Sequence, residues 1–208
     1  MARAQATRKA EGNEAGRAGR PRNQVGRLIR NALLWLIPVA LVWLLITPAF
    51  NRFLLGSAEN LARWTESPNV TDLLRKDEHF AYVSRIDFPP ARALVWSFRT
   101  TDVHFHLVLI GALFLAVPGV PLRERFANLG WALLITVFYD ILLVFLYVKF
   151  AYATQLGDWS MANYGDFARN FWGLAKHLFD LPFKLALPFL LWAGFYLPWL
   201  FGQLRRPA

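Results

Sequence analysis

The sequence predicts an all-α membrane protein with four transmembrane helices, both termini cytoplasmic, and amphipathic segments on the outer surface. Three observations predict it. Hydrophobic residues make up 56% of the chain, and they cluster in blocks rather than at a water-facing amphipathic period. Four blocks, 31–50, 103–120, 129–148 and 185–201, approach the length needed to cross ~30 Å of hydrocarbon. The net charge of +9 is concentrated near one end: eight basic residues precede Asn31, against only Glu11 and Glu14. Such asymmetry sets orientation, and puts the start of the first span in the cytoplasm.

Residues 1–26 are rich in Ala, Arg, Gly and Asn, with almost no large apolar side chain. They cannot bury enough surface to offset their ordering entropy, which predicts a disordered basic tail. No small-residue cleavage site follows, so a secretory signal is not expected; a transit peptide is a minor alternative. The tail has no aromatic residue, and nucleic-acid binding wants basic and aromatic side chains interleaved on a folded face. Nucleic acid is therefore not an expected partner.

The remaining chain, 27–208, reads as one four-span membrane domain. Its first span carries Pro38 and Pro48, tolerable where a neighbouring helix satisfies the freed carbonyls. Residues 51–102 form a long outer loop, where seven basic and seven acidic residues cancel. Phe53, Leu54, Ala58, Leu61, Ala62 and Trp64 recur near a helical period, predicting an amphipathic helix on the outer membrane surface. Thr71 with Leu73 and Leu74 suggests a short turn, and 79–88 alternates loosely enough for a strand. The second span is closed by Pro118, Gly119 and Pro121, with Arg123 and Arg125 holding the turn in the cytoplasm. The third returns outward. A second outer loop, 149–184, carries an amphipathic stretch expected to shelter Phe171 and Phe179 and to wet Arg169 and Lys176. Arg205 and Arg206 then place the last span's end in the cytoplasm. The two hairpins differ in loop length and motif, which disfavours an inverted-repeat transporter.

The chemistry-bearing residues are few. Asp140 lies inside the third span, where an ionisable group is costly and a functional hypothesis by default. His104 and His106 stand at the mouth of the second span, and Tyr139 neighbours the acid; these four form the candidate intramembrane site. The functional reading is a proton or ion relay, or a membrane enzyme or proton-coupled carrier. The structural reading is an acid bonded to Tyr139, Thr136 or a carbonyl, tying helices together. The histidines, two positions apart, would point to opposite sides of a helix and cannot share one ion. Capping of the span is the simpler reading for them. No metal site, cofactor or catalytic residue is expected, and the absence of cysteine excludes disulfides, thiolate ligands and cysteine nucleophiles.

The stretch from His104 to Arg125 runs from a polar lead-in through LVLIGALFLAVP to the basic turn RER. Together with the Pro-bearing first span, it resembles the small membrane proteins encoded beside exosortases, the exosortase H-associated type, over residues 31–150. The resemblance implies an accessory inner-membrane protein of an exosortase-type protein-sorting and exopolysaccharide system. Its implied partners are the lipid bilayer and a membrane-embedded exosortase-like enzyme. Exosortases use a cysteine that this chain lacks, so the resemblance implies a companion, not the transpeptidase. A free-standing envelope protein that binds lipid through its outer segments is the remaining alternative.

Overall fold

The computed structural model describes residues 22–75 and 80–204, and the chain is mostly helical. Most of the predicted disordered tail, and Arg205 and Arg206, lie outside the described residues. Residues 22–26 of that tail are not loose: they form the first turn of helix α1, Arg22–Trp64.

Helix α1 runs 43 residues without a break, roughly 64 Å at 1.5 Å per residue. Pro38 and Pro48 sit inside it and do not end it. The expected surface helix after Asn51 is therefore a correction: that segment is the last turns of α1. Its apolar period is satisfied by protein, with Leu54, Leu55, Ala58 and Ala62 buried. The earlier turns expose theirs instead, Leu34, Ile37 and Leu45 among them.

The segment 71–99 folds into a three-stranded antiparallel meander, β1 Thr71–Arg75, β2 Phe80–Arg85 and β3 Leu94–Arg99. The expected turn at Thr71 is a strand, because Leu73 and Leu74 alternate across it and pair with Val83 and Tyr82. The strand expected over 79–88 is β2. One face of the sheet buries Leu73, Ala81, Val83 and Phe98 against the end of α1 and against Val144 and Val148.

Two short helices follow, α2 Thr100–His104 and α3 His106–Ala116. Together they are about 25 Å long at 1.5 Å per residue, shorter than the predicted second span. At Gly111 α3 meets α1 so closely that an added Cβ would lie 2.6 Å from Val39 Cγ1. The reversal after α3 turns on Gly119, whose φ is +79°. Arg125 closes that turn, donating to Leu115 O at 2.7 Å and Val120 O at 2.8 Å. One guanidinium thus satisfies carbonyls that the end of α3 leaves open.

Helix α4, Leu122–Thr154, overruns the predicted third span at both ends. After α5, Asp158–Asn163, helix α6, Asp166–Leu178, continues through a single wide turn at Phe179–Phe183 into α7, Lys184–Leu204. Three stretches are long and apolar enough to cross a membrane: Val25–Trp64, Leu122–Thr154 and Asp166–Pro198. Of the residues expected to be sheltered, Phe179 is half-buried against the core and Phe171 lies on the protein's outer face; of those expected to be wet, Lys176 is instead packed against protein. Phe167 is 84% exposed and Leu174 67%, whereas the Lys176 and Asp180 side chains are 12% and 16% exposed. Lys176 and Asp180 face α4, where their partners lie, beside Trp172 and Phe179, while Phe167, Phe171 and Leu174 face outward.

Candidate functional site

The break between α2 and α3 positions the two histidines. They flank Phe105 and leave their helices in different directions, His104 toward α1 and His106 toward α4. Both are buried, so neither merely caps the span at its surface.

His104 is fully partnered. The Trp43 indole N–H donates to its Nδ1 at 3.0 Å, and its Nε2 lies 2.7 Å from Asn51 Oδ1. Since indole can only donate, Nδ1 must be the bare nitrogen and Nε2 carries the hydrogen toward Asn51. The ring of Phe50 closes the site edge-on at 4.9 Å.

His106 has the opposite character. Its Nε2 lies 3.4 Å from Asp140 Oδ1, near enough for an ion pair but without hydrogen-bond geometry. Five buried side-chain atoms among the described residues have no hydrogen-bond partner. Four of them are the two nitrogens of His106 and the two oxygens of Asp140. Such groups are costly to leave unmade, about 1–3 kcal/mol each and more for charged ones. The acid on the third predicted span and the second histidine thus come together, which their depths in the sequence allowed.

The groups expected to satisfy Asp140 are committed elsewhere. Tyr139 OH donates to Phe179 O and stacks on the Phe179 ring. Thr136 Oγ1 donates to Ala132 O within its own helix. Tyr139 still meets His106, edge to face at 5.9 Å between ring centroids.

A second acid stands on the next helix. Asp180 accepts from Tyr147 OH at 2.6 Å and Lys184 Nζ at 2.6 Å, and pairs with Lys176 Nζ at 2.9 Å. Lys184 also donates to Asp102 O at 3.2 Å, so this hub joins α4, α6, α7 and the start of α2. The charge of Lys184 acts on both His106 and Asp140. Sequence reading placed Lys176 on a wet face and missed the hub; the i, i+4 spacing of Lys176, Asp180 and Lys184 is the signal that could have found it.

Sequence reading also missed a cavity of about 290 Å³ at the sheet end of the molecule. It lies between the α1–β1 loop, the end of β2, the end of α4 and α5. Arg85, Asp87, Glu66, Lys149, Tyr152, Trp159 and Tyr164 contribute to its wall.

No family model, curated protein or solved structure matches this chain. The role of these groups therefore rests on their own geometry. Among the described residues no three His, Cys, Asp or Glu side chains converge as metal ligands would.

Proposed function

We propose that the chain is a four-crossing integral protein of a bacterial inner membrane, and a non-catalytic accessory to an exosortase-type sorting system. The crossings are the apolar part of α1, the α2–α3 unit with its turn, α4, and α7. The Arg125 turn faces the cytoplasm and the sheet faces outward. The observation that carries the accessory reading is the unbroken α1. Its apolar half is far too long to leave in water, and its last turns form the floor of the sheet, so cap and bundle move as one body. A rigid cap fixed at the outer surface beside bare apolar helix faces suits a protein that positions a membrane partner. The family resemblance supplies that partner's class, a membrane-embedded sorting enzyme.

Reporter fusions test the topology: fusions after Arg125 and Arg206 should report cytoplasm, and fusions at Arg75 and Tyr164 the outside. An external signal at Arg125 sinks the four-crossing reading. The partner is tested by affinity purification of the tagged chain from cells that also carry an exosortase-like enzyme. Co-elution of that enzyme in mild detergent is expected, and its complete absence would remove the accessory role.

One observation favours a second reading. The His106–Asp140 pair is buried and without hydrogen-bond partners, and on the four-crossing reading it lies within the membrane, the setting of residues that hold or pass a proton. In that reading the pair carries a proton between the two groups, and Lys184 sets the charge around it.

A further inference from the structure

Arg85 ends the central strand and is buried, although it carries a charge. Opposite Val83 and Ser84 the partner strand β3 carries one extra residue, Val95, since Val83 pairs with Trp96 and Ser84 with Leu94, and Val83, Ser84 and Arg85 are buried in succession. Arg85 points toward the end of α4 and toward α5. Its guanidinium carbon then lies 4.8, 4.8 and 4.3 Å from the ring centroids of Phe88, Tyr152 and Trp159. Asp87 takes two of its donors, at 3.0 Å from Nε and 2.6 Å from Nη2. The other terminal nitrogen makes no hydrogen bond within the described residues, and Arg85 lines the cavity.

Lys149, on α4, lines the same cavity. Its side chain is 11% exposed, and its ion-pair partner is Glu66 Oε1 at 3.5 Å. Glu66 is already occupied: Oε1 accepts from Thr71 Oγ1 at 2.6 Å, and Oε2 faces the Val70 and Thr71 amides at 3.3 and 3.1 Å. An ammonium has three donors, so most of its capacity is unspent. Arg85 and Lys149 repel each other across this space. Tyr164 adds a phenol, a hydrogen-bond donor at neutral pH, whose pKa burial pushes further up.

The wall thus offers surplus donors from three separate elements and few free acceptors. Its two cations and two carboxylates sum to zero, so one negative charge suits it better than two. Donors converging from a strand end, a helix and a loop match a tetrahedral anion better than a flat carboxylate. We propose that this cavity binds the monoanionic phosphodiester group of a phospholipid or of a free headgroup, with Arg85, Lys149 and Tyr164 donating to its oxygens. A volume near 290 Å³ lies at the small end of ligand pockets, which start near ~300 Å³, and fits a headgroup without chains. Lys149 follows directly on the apolar run of α4. On the membrane reading this is headgroup depth, where Trp and Tyr gather.

The test uses the full chain in dodecyl maltoside with phosphate-free buffer, read by tryptophan fluorescence. Three probes are titrated: monomeric dihexanoylphosphatidylglycerol, glycerophosphoglycerol and inorganic phosphate. Saturable binding of either diester, at least tenfold tighter than inorganic phosphate, is expected. Binding of the lipid alone assigns the site to the membrane; equal binding of the bare headgroup assigns it to soluble diesters and supports the site without the bilayer. Lys149→Met should weaken the diester at least tenfold and Tyr164→Phe about threefold, at unchanged thermal stability. If Lys149→Met does not fold, Tyr164→Phe decides alone. No saturable diester binding, a preference for inorganic phosphate, or unchanged affinity in the folded variants would overturn the proposal.

Discussion

Asp180 and Asp140 lie on helices that touch, yet they have opposite surroundings. Three donors reach Asp180, from Tyr147, Lys176 and Lys184. Asp140 has one histidine at 3.4 Å and no hydrogen bond. The histidines divide in the same way, His104 held from both sides and His106 bare. One acid and one histidine are therefore built into the bundle as joints, and their neighbours are not. Joints explain themselves by what they hold. An orphaned pair in apolar surroundings needs another account, and substitution at each member of the set shows whether the division is real.

The largest effect is expected at Asp180. Asp180→Leu strands two ammonium groups and a phenol that now share one carboxylate. Removing one member of a buried ion pair costs about 3–5 kcal/mol, and the partly open position of Asp180 puts the loss near the lower figure. Unfolding of the purified variant in detergent measures it. A change under ~1 kcal/mol would place Asp180 with the weak surface pairs and erase the contrast with Asp140.

A smaller loss is expected at His104. His104→Leu leaves the Trp43 indole without its acceptor and takes one bond from Asn51. An unmade buried hydrogen bond of this kind costs about 1–3 kcal/mol. His104→Gln, which keeps a donor and an acceptor, should recover part of it. The matching change at His106 should cost less, since no bond is lost there. Equal losses at the two histidines would show that burial alone, and not partnering, separates them.

How far this division could be read from the sequence depends on the kind of signal. Asp140 was visible because a lone acid in an apolar run needs no structure to stand out. Its nearness to His106 was allowed by the short turn between their spans but not fixed by it, because their depths differ. The joint at Asp180 was hidden. Periodicity shows that Phe167, Phe171 and Leu174 share a face but not whether that face meets lipid or protein, and here it points outward. The end of α1 was misjudged for a related reason: the uncharged run ends at Asn51 and Arg52, yet the apolar period beyond it is held by a sheet whose strands β1 and β3 gave little signal of their own. The cavity was beyond reach, because Glu66, Arg85 and Lys149 are far apart in the chain and meet only in the fold. What was legible is local pattern, and what was not is the partner each pattern finds.

The smallest stability effect is expected at Asp140, and it decides most about function. Asp140→Asn keeps the shape and a hydrogen-bonding amide while removing the carboxylate. Asp140→Leu removes the polar group altogether. Polar contacts between membrane helices average about 0.6 kcal/mol and rarely exceed ~2, and this pair lacks even good hydrogen-bond geometry. Neither variant should therefore lower abundance much, and Leu can stabilise, because replacing an orphaned buried polar group by apolar volume relieves its desolvation. Complementation of a deletion strain at matched protein level separates the two readings. An accessory role predicts that Asn and Leu both restore the phenotype. A proton-handling role predicts that both fail at normal abundance, and that His106→Leu fails with them, because the titrating group is lost while the fold is kept. We expect the first result. A dead Asp140→Asn in a stable, fully abundant protein would make the orphaned pair the working centre and reduce Asp180 and His104 to the frame that holds it.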